Sequence, residues 1–188
     1  MTNNNKKIGI IVDGHGDFHS IKKRFSQLKV LKSDGPRGHN ALIKDIIFKA
    51  KKQIKILSMG YKCHKVILLL DMEEREETYD NLLILLQNEV EKNRFDCNVN
   101  IVIANKMIEN WYLADIEFLS NNCSFLKDRL RQKSYEGKHG KKEIKKLFKK
   151  NTNYNEVEHG PKLFLMIRLE VARKNSISLN HFLETLIS

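Results

Sequence analysis

The sequence predicts an α/β protein on a mainly parallel sheet flanked by helices, with a helical C-terminal part. Three observations carry that reading. Short apolar runs without helical spacing recur through the first hundred residues. Segments with helical spacing separate them. The strongest runs are apolar on every residue, as expected for strands covered on both faces.

The elements follow in order. Ile8–Val12 reads as a buried strand, and residues 13–17 (Asp-Gly-His-Gly-Asp) as a tight turn. Helical spacing through Phe18, Ile21, Phe25 and Leu28 predicts a helix over 18–28, with a short strand over 29–32. Residues 33–39 form a loop with Gly35, Pro36 and Gly38. Asn40 is placed to cap a helix running to residue 59, and Gly60 to end it. Residues 65–70 form the second strong strand, 78–92 a helix and 99–104 a fourth strand. This alternation predicts parallel βαβ units with right-handed crossovers. Beyond Lys106 the spacing predicts helices over 108–118, 141–150, 162–173 and 179–187. Residues 1–120 thus read as the α/β core and 121–188 as a helical extension packed on it, together one compact domain.

Composition narrows the classes. The chain of 188 residues is long enough for a real core. No apolar run of about 18 residues occurs, so no membrane span is expected. Residues 1–7 are polar and lack the apolar stretch of a secretory signal. Cys63, Cys97 and Cys123 are far apart and odd in number, which argues for free thiols in a reducing cytoplasm. The net charge of +11 favours polyanionic partners, nucleic acid first, although a lysine-rich surface can also be plain solvation.

The chemistry lies in the acids. Parallel sheets carry working residues beyond the carboxyl ends of their strands. Here two strong strands end in Asp13 and Asp71, each followed by a second acid, Asp17 and Glu73, and Glu109 follows the fourth strand. Crowded carboxylates repel, and a hard divalent cation resolves the repulsion. Mg²⁺ or Mn²⁺ held there would polarise a phosphoryl group and generate a nucleophile. The plainer reading makes Asp17 a helix-opening residue, and makes Glu74, Glu76 and Glu77 a solvated first turn. The Gly14-His15-Gly16 turn is a weak dinucleotide signal, since a third glycine is missing at His19 and two acids stand in the loop. His15 is a lone candidate metal ligand.

These residues resemble a known pattern. Ile11-Val12-Asp13-Gly14-His15-Gly16-Asp17 resembles the first motif of Toprim domains, and Leu69-Leu70-Asp71-Met72-Glu73 the second. The nearer likeness is to a bacterial Toprim-like family of unknown function with a "VEGHGE" start, a strand ending near "DADD" and an "EAW" acid. Here the last is Glu109-Asn110-Trp111. Pro36-Arg37-Gly38, Gly140-Lys141-Lys142 and the segment 166–182 extend the likeness over nearly the whole chain. The resemblance implies relation to topoisomerases, primases and OLD-type nucleases. It implies Asp13 and Asp71 as catalytic acids, and Asp13, Asp17, Asp71, Glu73 and Glu109 as metal ligands. Two residues depart from the pattern: Asp13 stands for the usual Glu, and Glu73 for an Asp.

Basic residues complete the expectation. Lys141, Lys145 and Lys149 share a helical face, with Lys142 beside it and Ile144, Leu147 and Phe148 turned inward. That face is either solvated or a phosphate rail. Arg37 and His39, on the glycine-rich loop, and Lys141, Lys142 and Lys145 are the candidate nucleic-acid contacts, Lys141 also a catalytic one. Trp111 is expected in the core. Two functions remain open from the sequence. One is a Mg²⁺-dependent nuclease or phosphoesterase in defence or genome maintenance, with an ATPase partner by analogy. The other is a non-catalytic Toprim-like module that binds nucleic acid or regulates an ATPase.

Overall fold

A computed structural model of the protein describes residues 7–35 and 40–188. Its centre is a four-stranded, all-parallel sheet of β1 (Ile8–Val12), β2 (Lys29–Lys32), β3 (Lys65–Asp71) and β4 (Asn98–Ala104), in the order β2-β1-β3-β4. The register is continuous, with Ile10 opposite both Val30 and Ile67, and Asp71 opposite Ala104. The predicted parallel α/β architecture is therefore what the chain adopts. After β2 the chain crosses back over β1 to place β3 on the other side. The order reverses between β1 and β3, which opens a crevice beyond their carboxyl ends.

Strand parity sorts the core into two layers. Ile10, Val12, Ile67, Leu69, Val102 and Ala104 face α1 (His15–Arg24) and the C-terminal helices. Ile11, Val66, Leu68, Leu70, Ile101 and Ile103 face α2 (Ile43–Lys55) and α3 (Tyr79–Asn93). Coverage on both faces is why β3 is apolar without alternation.

Boundaries shift where local contacts outweigh spacing. The first helix begins at His15, three residues ahead of the expected start, and ends at Arg24. The second begins at Ile43 with Leu42 as cap, so Asn40 does not cap it, and it closes in a π-helical turn, Ile56–Gly60. Thr78 caps α3 by accepting from the Asn81 backbone N–H at 3.3 Å. Glu74, Glu76 and Glu77 precede that cap and lie in the loop before the helix.

Two expected helices are each broken. Residues 108–118 become α4 (Glu109–Leu113) and α5 (Ile116–Asn122), and residues 162–173 become α7 (His159–Met166) and α8 (Leu169–Asn175). The breaks meet in space. The buried Asp115 carboxylate accepts from the Arg168 backbone N–H at 2.9 Å, from Nε at 3.0 Å and from Nη2 at 2.7 Å. A charge-assisted, two-pronged bond of this kind holds both chain reversals.

Between them lies α6 (Gly140–Leu147), and α9 (Ile177–Ile187) lies along β4. Trp111 is fully buried, stacked on Phe182 at 5.1 Å, and donates to Ser178 Oγ at 2.9 Å. The three cysteines are free thiols. Among the described residues, no helix is long and apolar enough to cross a membrane.

Candidate active site

The crevice between β1 and β3 collects acids from three strand ends. Asp13 follows β1 directly and Asp17 stands in the first turn of α1. Gly14 makes Asp17's position possible, because any Cβ there would collide with the Asp17 carboxylate. Asp71 ends β3, and its Oδ1 accepts the Ile108 backbone N–H at 3.0 Å. That bond fixes the turn entering α4, whose first residue is Glu109. Gly140 then seats α6 against Glu109: a Cβ there would lie 2.8 Å from Glu109 Cβ.

The acids influence one another electrostatically. Burial pushes Asp17 well above the usual carboxylate range, and the charges of Asp13, Glu109 and Glu156 add to it. Asp71 is likewise raised, by burial first and then by Asp17, Asp13 and Glu109. Glu109 is almost wholly buried and raised by that burial, against the opposing pull of Lys141 and a hydrogen bond from Tyr154. Asp13, Asp17, Asp71 and Glu109 thus form one field, in which ionising any acid disfavours ionising the next.

Among the described residues, Lys141 is the cation that acts on these acids. Its ammonium is half-buried and bonded to Glu156 at 2.6 Å. Burial works against its charge, but Glu156, Glu109 and Asp17 outweigh that cost and hold it protonated. Tyr154 donates to Glu109 Oε1 at 3.0 Å, and Tyr112 donates to Ser20 Oγ at 2.9 Å beneath the acids. Glu109 Oε2 is buried with no hydrogen-bond partner.

Not every expected residue joins this group. Glu73 adopts a left-handed backbone, φ 52°, and its N–H donates to Lys106 O at 2.8 Å. None of the leading charge effects on Asp17, Asp71 or Glu109 comes from it. Lys142 and Lys145 are exposed on α6 and separate from Lys141, which turns inward. The expected lysine face stops short of Lys149, because the helix ends at Leu147 and Phe148 pairs with Leu126 in an antiparallel bridge. Arg37 and His39 lie outside the described residues.

Sequence reasoning missed Glu156, Tyr154, Tyr112 and Ser20. Glu156 and Tyr154 sit in the irregular segment between α6 and α7, where no periodicity marks a residue as inward-facing. The one local hint is the small residue opposite, since Gly16 approaches Glu156 so closely that a Cβ would lie 3.0 Å from it.

The donor set is chemically suited to a hard cation. It is all carboxylate, and the orphaned Glu109 Oε2 is a buried acceptor awaiting a positive partner. As the side chains stand, no group of three or more His, Cys, Asp and Glu among the described residues closes to metal-ligand spacing.

Fold and site together define a doubly wound α/β domain with an acidic, lysine-countered centre at its topological switch point. The chain belongs to the family described as Domain of unknown function (DUF4276), whose model matches residues 3–187. No curated protein and no solved structure matches it.

Proposed function

We propose that this protein is a Toprim-like, divalent-metal-dependent phosphodiester-processing enzyme acting on nucleic acid. The observation that carries the reading is the convergence of Asp13, Asp17, Asp71 and Glu109 on one crevice, with Lys141 against them. Asp17, Asp71 and Glu109 would hold Mg²⁺ or Mn²⁺, with Asp13 beside them. A bound ion of this kind polarises a phosphoryl oxygen and lowers the pKa of a water. The protein's own part is positional. Tyr154 fixes the Glu109 carboxylate, and the Ile108 N–H fixes Asp71. Lys141 offers a permanent positive charge to a phosphate oxygen or a departing oxyanion once Glu156 releases it. Glu73, expected from the sequence as a ligand, is left out of this set because none of the leading charge effects on these acids comes from it.

The net charge of +11 supports a polyanionic substrate. By analogy with Toprim relatives, a role in bacterial defence or genome maintenance with an ATPase partner belongs to the same proposal. The test is cleavage of labelled single- and double-stranded DNA and RNA with Mg²⁺ or Mn²⁺. Wild type is expected to cut, and folded Asp71→Ala to lose the activity; full activity in that variant would sink the proposal.

A second reading has its own support. Lys141 is already occupied by Glu156, and the acids are not closed to ligand spacing. A non-catalytic module that binds nucleic acid or regulates an ATPase would look this way. It requires binding that survives EDTA and Asp71→Ala.

A further inference from the structure

The early start of α1 has a chemical consequence. His15 is the first residue of the helix rather than part of a loop, so His19 lies one turn along on the same face. Their Nε2 atoms stand 3.2 Å apart, while the ring centroids are 4.6 Å apart and the planes nearly perpendicular, at 84°. The two nitrogens therefore lean toward one another. Two imidazole nitrogens on one tetrahedral zinc, each about 2.0–2.1 Å from it, are separated by roughly 3.3 Å. The observed spacing matches a chelate before any ion is present.

We propose that His15 and His19 form a chelating site for a borderline-soft divalent transition ion of the zinc class, on the solvent side of α1. Imidazole is the commonest protein ligand for such ions and a poor one for Mg²⁺, which takes oxygen. The His15–His19 pair thus disfavours the Mg²⁺ that suits the carboxylate crevice, although both lie at the carboxyl edge of the sheet. His15 is exposed, so an ion reaches the pair from solvent. The His19 ring is held edge-on to Phe18 at 5.4 Å, and Lys22 lies over that Phe18 ring at 5.1 Å, which restricts the imidazole on its far side. Lys22 and Lys32 stand near enough to oppose an incoming cation, so affinity comes from the two nitrogen bonds and not from the local field. The remaining coordination positions fall to water or to an oxygen of a bound ligand. This inference stands apart from the proposed nuclease activity.

The experiment is titration of the full chain with ZnCl₂ by calorimetry and with CoCl₂ by visible absorption. It compares wild type, His15→Ala, His19→Ala and Asp71→Asn, each checked for folding by circular dichroism. Wild type and Asp71→Asn are expected to share the same histidine-dependent Zn²⁺ binding event, whatever the carboxylates take up beside it, and to develop the Co²⁺ ligand-field bands. Each histidine variant is expected to lose those bands and at least roughly tenfold in affinity, the lower end of what a lost supporting partner already costs a metal site. His19→Gln replaces His19→Ala should the latter unfold. Unchanged Zn²⁺ binding in the histidine variants, or no binding by wild type, would overturn the proposal and leave the contact as a plain imidazole–imidazole hydrogen bond. Binding lost in Asp71→Asn but kept in the histidine variants would overturn it too, by moving the ion to the carboxylates.

Discussion

Asp71 carries two opposed demands. Its Oδ1 is needed as acceptor for the Ile108 N–H, yet its charge is paid for in burial and in repulsion from Asp17, Asp13 and Glu109. Its folded pKa lies above the unfolded value near 3.8, so the native state binds the proton more tightly. The stability this group contributes is complete below the unfolded pKa and is lost as pH rises through the folded one. Asp71→Asn keeps an acceptor oxygen and removes the charge. The variant is expected to melt at a higher temperature than wild type at pH 7.5, with the gap closing as pH falls toward 4. Thermal unfolding across that range measures it. Under the proposed metal site, Mg²⁺ should raise the melting temperature of wild type and not of Asp71→Asn. A melting temperature below that of wild type at neutral pH would mean that Asp71 is structural, and that its charge is compensated in the folded state.

Among the elements, the paired breaks at Asp115 and Arg168 fix how the C-terminal helices sit on the sheet. α7 packs on α1, and α1 carries Asp17, so the placement of α7 bears on the helix that delivers that acid. Asp115→Ala removes three hydrogen bonds and leaves the Arg168 backbone N–H without its acceptor. Losing that acceptor is expected to cost about 1–3 kcal/mol, read by chemical denaturation. Arg168→Ala keeps the backbone bond but leaves the buried Asp115 carboxylate without its two charge-assisted side-chain bonds, so a comparable loss is expected. A much smaller loss would show that the backbone anchor alone holds the reversal.

For the whole molecule the charge of +11 matters most, because it acts at a distance whichever function holds. Lys142 and Lys145 are exposed on the helix that delivers Lys141 to the acids. If nucleic acid crosses the crevice, these lysines are positioned to meet its backbone. Replacing both by alanine is then expected to reduce the slope of log affinity against log salt by about 2, one phosphate contact each. Fluorescence anisotropy of labelled DNA or RNA between 50 and 200 mM salt, on the order of a Debye length of 10 Å, measures the slope. An unchanged slope would place the nucleic acid elsewhere on the surface.

The sequence by itself determined the sheet and most of its acids. β1 and β3 are apolar runs ending in aspartate, and such runs are local signals, since a strand covered on both faces must be apolar throughout. Asp13, Asp17, Asp71 and Glu109 were legible for the same reason: each sits at or just after an element end. Tertiary structure alone decided the rest. It turned Lys141 inward while leaving Lys142 and Lys145 outside, a choice made by Glu156 from a loop with no periodicity. It gave Glu73 a left-handed backbone bonded to the next loop, and none of the leading charge effects on the buried acids comes from that residue. It broke two helices whose spacing was unbroken, because a buried carboxylate and a backbone N–H separated by 53 residues satisfy each other there. Hydrophobic spacing records which face of a segment is buried. It holds no record of which distant polar group a buried charge will find, and that pairing exists only once the chain has closed on itself.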